Sequence, residues 1–128
     1  MADAAFCVDN GLAIVTNRII GAGTEPKYIG WGIGTTGAAA TDTGLETASA
    51  EDRTSGTGSR QQTSTANDTH QVAGSITCVS TGKAIAEVAI FDADTAGNCY
   101  FHGTFSVINV SVGDSISFTL KVVFNQAA

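Results

Sequence analysis

Gly32-Ile33-Gly34-Thr35-Thr36-Gly37 spells G-x-G-x-x-G, the spacing with which a glycine-rich turn cradles a pyrophosphate. Glu51 and Asp52 lie further on, at about the distance of a ribose-binding acid. That chemistry needs a helix beginning at the glycines, so that its first amides meet the phosphates, and a second strand beyond it. The stretch after Gly37 is instead rich in Thr, Ala and Gly, with neither amphipathic periodicity nor a nearby apolar strand. The match is read as a by-product of a chain with 15 glycines. Asp92-x-Asp94-x-x-Gly97-Asn98 begins like a calcium loop, but Ala96 stands where a ligand is wanted and Gly103 where a bidentate Glu would close the site. Asp, Gly and Asn favour turns for their own reasons, so a hairpin is expected there. Cys99 and His102 are three apart, which on a regular strand puts them on opposite faces, and Cys78 and His70 lie on an earlier strand. Neither a shared metal ion nor a Cys–His nucleophile pair is expected. No catalytic residue, metal ligand or cofactor is assigned, and the protein is read as non-enzymatic.

Composition narrows the choice further. Ala, Gly, Ser and Thr fill 61 of 128 positions, so large apolar side chains are few for one domain spanning 1–128. A thin core favours burial against a partner. Twelve acidic and six basic residues leave a net charge of −6. The cations are scattered, which argues against nucleic acid. No apolar run is long enough for a membrane helix, and the first residues lack the basic start of a secretory signal. Three cysteines cannot all pair, so they are read as reduced, buried thiols of a protein made in a cytosol.

The elements that position these residues are mostly strands. Ile116, Phe118, Leu120, Val122 and Phe124 alternate with Ser115, Ser117, Thr119 and Lys121, one face in a core and the other in water. Residues 111–114 read as the turn that connects this strand to an apolar run at Val107, Ile108 and Val110. Residues 69–78 alternate likewise, 84–91 and 99–105 flank the Asp92–Asn98 hairpin, and 12–20 read as a β-branched strand. Around residues 27–33, Gly30, Gly32 and Gly34 alternate with Ile29, Trp31 and Ile33, so one strand face invites a close backbone approach. Residues 34–68 carry a single large apolar side chain, Leu45, and read as a long polar arm that orders on a neighbour. Residues 1–10 read as a second, Ala-rich arm. The expected fold is an all-β antiparallel sandwich or jelly roll of seven or eight strands.

Three runs carry a resemblance. The stretch 28–46 opens Tyr28-Ile29-Gly30-Trp31-Gly32-Ile33-Gly34-Thr35-Thr36-Gly37, 84–92 reads Ala84-Ile85-Ala86-Glu87-Val88-Ala89-Ile90-Phe91-Asp92, and 105–119 contains Val110-Ser111-Val112-Gly113-Asp114-Ser115. Together they resemble small structural proteins of tailed bacteriophages over roughly residues 28–124. The resemblance implies a β-sandwich virion component, made in the host bacterial cytoplasm and without enzymatic activity. Short length and the absence of repeats favour a head decoration (cement) protein, a homo-oligomer with a trimer preferred, which bridges major capsid protein subunits on the head surface. A tail, baseplate or fibre-associated protein and a carbohydrate-binding sandwich for host adsorption are the alternatives. The contact residues expected are Tyr28, Trp31, Thr35, Thr36, Leu45, Arg53 and Arg60. Carbohydrate binding would need Trp31, Tyr28 or Tyr100 exposed on one patch.

Overall fold

Period-two alternation builds two antiparallel sheets, and the sandwich expected from the sequence is the fold seen. The computed structural model describes residues 4–126. In chain order the elements are β1 (Ala4–Cys7), α1 (Asp9–Ile19), β2 (Tyr28–Gly32), β3 (Thr54–Ser55), β4 (Thr57–Gln61), β5 (Thr69–Thr77), β6 (Lys83–Phe91), β7 (Cys99–Val110) and β8 (Ser115–Val123). One sheet has the order β1-β7-β6-β2-β3 and the other β4-β5-β8. Their facing sides enclose the main core: Ile29 and Trp31 of β2, Ile85 and Ile90 of β6 and Tyr100 of β7 pack with Val72 and Ile76 of β5. Each fully buried side chain of this size contributes about 1.5–3 kcal/mol.

Besides the β5–β6 link at residues 78–82, two short connections join the layers. Gly56 alone separates β3 in one sheet from β4 in the other. A Cβ there would stand 2.8 Å from a Val72 methyl and 3.0 Å from the Lys27 carbonyl oxygen, so only glycine makes this crossing without displacing the core. At the other crossing, the expected turn at 111–114 is present but does not close a hairpin within one sheet. It carries the chain from β7 to β8 in the opposite layer, pinned by the Cys78 amide donating to the Asp114 carbonyl at 2.8 Å.

Three expectations need correction. Residues 12–20 belong largely to a helix, not a strand. The helix lies on β7 with Gly11 and Ile14 buried beneath it, and Gly21 (φ 79°) comes just after its end. Tertiary packing overrides the β-branched composition here. Residues 1–10 are not an arm either: Met1–Asp3 lie outside the described residues, but Ala4–Cys7 pair in register with Thr104–Phe101, Val8 is fully buried and Asp9 begins α1. Residues 34–68 are no free arm, for they contain β3 and β4, and the stretch before those strands folds over the protein's own five-stranded sheet.

Replacing a helix-interior glycine with alanine ordinarily stabilises a protein by about 1 kcal/mol. At Gly11 the added Cβ would lie 2.4 Å from the Tyr100 carbonyl oxygen and 2.9 Å from the Cys7 sulfur. Gly11→Ala is therefore expected to destabilise by about 1–3 kcal/mol in urea unfolding. A stabilised variant would refute the close helix–strand approach.

Candidate functional site

The glycine face of β2 receives the close backbone approach expected of it, and the visitor is the chain's own loop. The Ile33 amide donates to the Thr47 carbonyl at 2.9 Å and the Ser49 amide to the Trp31 carbonyl at 3.1 Å. A Cβ on Gly32 would lie 2.4 Å from the Thr47 carbonyl oxygen. Beneath the loop, fully buried, sits Glu87 of β6. Its carboxylate accepts the amides of Gly34 at 2.9 Å, Glu46 at 2.8 Å and Thr47 at 2.8 Å, and meets His102 Nε2 at 2.8 Å. The other ring nitrogen of His102 meets Asp42 Oδ2 at 2.7 Å. An imidazole between two carboxylates satisfies both contacts when it carries both protons. Burial pushes the Asp42 carboxyl up, but the Ala39 amide and the His102 ring outweigh it and hold it below its ordinary range.

A second carboxylate anchors the end of the same loop. Glu51 accepts the indole N–H of Trp31 at 2.8 Å, the amide of Val79 at 2.9 Å and the Ser49 hydroxyl, and forms an ion pair with Lys83. Burial opposes its charge, yet the Lys83 ammonium and the other donors hold its carboxyl far below the carboxylate range.

These contacts dispose of the motifs. At Gly34 a Cβ would meet Glu46 and Glu87 carboxylate oxygens at 2.5 Å, so the G-x-G-x-x-G stretch faces negative charge, and no helix begins there. Asp92 Oδ1 accepts the Asn98 amide at 2.7 Å and closes the expected hairpin. Cys99 and His102 do share a face, contrary to their spacing. Phe91 pairs with Cys99 while Ile90 pairs with Phe101, so Tyr100 is an extra residue in a bulge that shifts the alternation. Burial nevertheless pushes the Cys99 thiol up to about 12, and both nitrogens of His102 are engaged. Among the described residues no group of three side chains is placed to hold a metal ion.

The expected contact residues scatter. Trp31 is only 2% exposed, buried in the inter-sheet core. Tyr28 is half-buried on β2 and Leu45 half-buried over Phe91, where the Arg53 guanidinium stacks 3.5 Å from the ring and donates to the Ala93 and Ala96 carbonyls. Thr35 and Thr36 are exposed on the loop, with the Thr36 hydroxyl donating to Glu46. Arg60 is exposed on β4 in the other sheet. Trp31, Leu45 and Arg53 line one cleft of about 420 Å³, and Leu45 shares a neighbouring one of about 510 Å³ with Thr36.

A different surface stands out, and reading 12–20 as a strand concealed it. Ile19 and Ile20 at the end of α1 are 78% and 77% exposed, Leu12 is 60% exposed and Phe124 is 48% exposed. Beside them opens a cavity of about 310 Å³ walled by Ile14, Val15, Ile19, Pro26 and Phe124. Tyr100 and His70 also line it, Tyr100 Oη lying 3.0 Å from His70 Nδ1, and Arg18 and Glu25 contribute charge. Burial lowers the His70 pKa, partly offset by the Glu25 charge, and raises that of the Tyr100 phenol. The cavity thus combines apolar walls with the hydrogen-bonded His70–Tyr100 pair and one charge of each sign. The chain matches no family model, no curated protein and no solved structure.

Glu87→Gln keeps the volume but turns one acceptor oxygen into a donor facing donors. The variant is expected to lose about 3 kcal/mol in urea unfolding, with faster hydrogen exchange at Gly34, Glu46 and Thr47. A loss under about 0.5 kcal/mol would show that the buried carboxylate does not hold the loop. Acid supplies a separate check. The folded pKa values of Glu51 and Asp42 lie below their unfolded ones, so their stabilisation is complete above the carboxylate range and is lost as pH falls through it and below. Thermal midpoints should fall steadily below about pH 4.5, and Glu51→Gln should flatten that slope. An unchanged slope in the variant would remove Glu51 from the account.

Proposed function

We propose that this protein is a non-enzymatic structural component of an assembled particle, in the role of a head decoration protein of a tailed bacteriophage. The resemblance of residues 28–46, 84–92 and 105–119 to small phage structural proteins supplies the placement, with the major capsid protein as partner on the head surface. The observation that carries the structural role is the opposite treatment of polar and apolar groups. Buried Glu87 and His102 serve the chain's own loop, whereas Leu12, Ile19, Ile20 and Phe124 face water, Ile19 and Phe124 at the rim of one cavity. Large exposed apolar patches mark surfaces that become covered. Covering each of these side chains would contribute about 1.5–3 kcal/mol, and adding such contacts across subunit boundaries stabilises a shell by mass action.

The contact surface accordingly moves from residues 28–60 to α1 and the C-terminal end of β8, with Thr35, Thr36 and Arg60 left as exposed polar positions elsewhere. For a glycan-stacking role, Trp31 and Tyr100 are buried and only half-buried Tyr28 remains of the three aromatics.

Particles purified with and without this protein should differ by density on the head. Adding back Ile19→Asp or Ile20→Asp protein should leave heads undecorated, while Arg60→Ala protein decorates them normally. Density missing from the tail instead would overturn the head placement. Full decoration by both aspartate variants would overturn the contact surface.

A further inference from the structure

We propose that the apolar face around α1 is a two-fold contact in which a second copy of this chain packs its own α1 face. The proposal rests on the reading of that face as an assembly contact and names its occupant.

The helix is apolar over a wider arc than its own sheet covers. Gly11 and Ile14 are buried and Val15 is half-buried, while Leu12 and Ile19 continue the apolar arc on one flank. Leu12, Val15 and Ile19 are spaced three and four apart, the repeat of a helix–helix seam. An isologous interface needs knob and hole on one surface, since each copy supplies both. Here exposed Ile19 and Phe124 stand at a cavity of about 310 Å³ that α1 also walls, with exposed Ile20 next to Ile19 in the chain.

The charges on the cavity are self-complementary. Arg18 and Glu25 both line it, one of each sign, and Arg18 Nη1 is steadied by donating to the Gly23 carbonyl at 2.9 Å. A two-fold axis can bring Arg18 of each copy to Glu25 of the other, so one favourable pairing is made twice. The area is adequate as well. Leu12, Ile19, Ile20 and Phe124 together expose roughly 500 Å², more than half of the roughly 800 Å² per partner of a standard interface, and exposed Arg18 extends the face. A small molecule in the cavity would leave Leu12 and Ile20 in water.

Sedimentation of the full chain over a concentration series tests the pairing. A monomer–dimer equilibrium is expected, weakened about 30-fold or more by Ile19→Asp and by Ile20→Asp. Both positions are exposed, so at concentrations where the parent is monomeric their urea midpoints should match the parent. Arg18→Glu should weaken association, and the double exchange Arg18→Glu with Glu25→Arg should restore it. A monomer at every concentration, a trimer, a dimer indifferent to Ile19→Asp, or a double exchange without recovery would each overturn the proposal. A monomer whose Ile19→Asp variant fails to decorate particles would overturn the pairing but keep the assembly reading. A dimer that binds no particle would do the reverse.

Discussion

A carboxylate cut off from water stays in place only where donors replace the water, and Glu87 has four of them. Three are backbone amides of one loop and the fourth is the ring of His102, which in turn reaches back to Asp42 on that loop. The loop is poor in apolar side chains and has little hydrophobic reason to lie on the sheet. The buried charge supplies the reason, and the glycines of β2 supply the room. Neither works alone. Without the glycines the loop backbone could not come within reach, and without the loop the carboxylate would lose three of its four donors.

The same loop covers the outer side of the five-stranded sheet, while the three-stranded sheet covers the inner side. That explains why β6 is buried along most of its length although it belongs to a small sandwich. It also frees α1 from a covering role on that face. The helix lies against β7 instead, and half of its apolar arc is left uncovered.

Much of the fold was legible in the sequence because strand alternation is a local signal. β5, β8, the β6–β7 hairpin and the glycine face of β2 all carry it. The helix was not legible, because Ile14, Val15, Ile19 and Ile20 argue for a strand. The contrary signs were Gly11, Ile14 and Val15 at helical spacing, with Asp9 at one end and Arg18 at the other, where each suits the helix dipole. Glu87 had one available signal, a lone carboxylate in a run apolar on both faces. The loop was misread as an arm because its contacts run through backbone amides, which every sequence possesses alike. The Tyr100 bulge left no trace at all, yet it decides which side chains share a face with His102.

The register of β1 has a consequence for synthesis. Ala4 pairs with Thr104, so about a hundred residues must follow Ala4 out of the ribosome before this strand can find its partner. The β4–β5 and β6–β7 hairpins close early, being local in the chain. The β5–β8 pairing is longer in range, and the β1–β7 pairing is the longest of all. Until β7 has emerged, α1 has no strand to lie on, and its whole apolar arc is open to water.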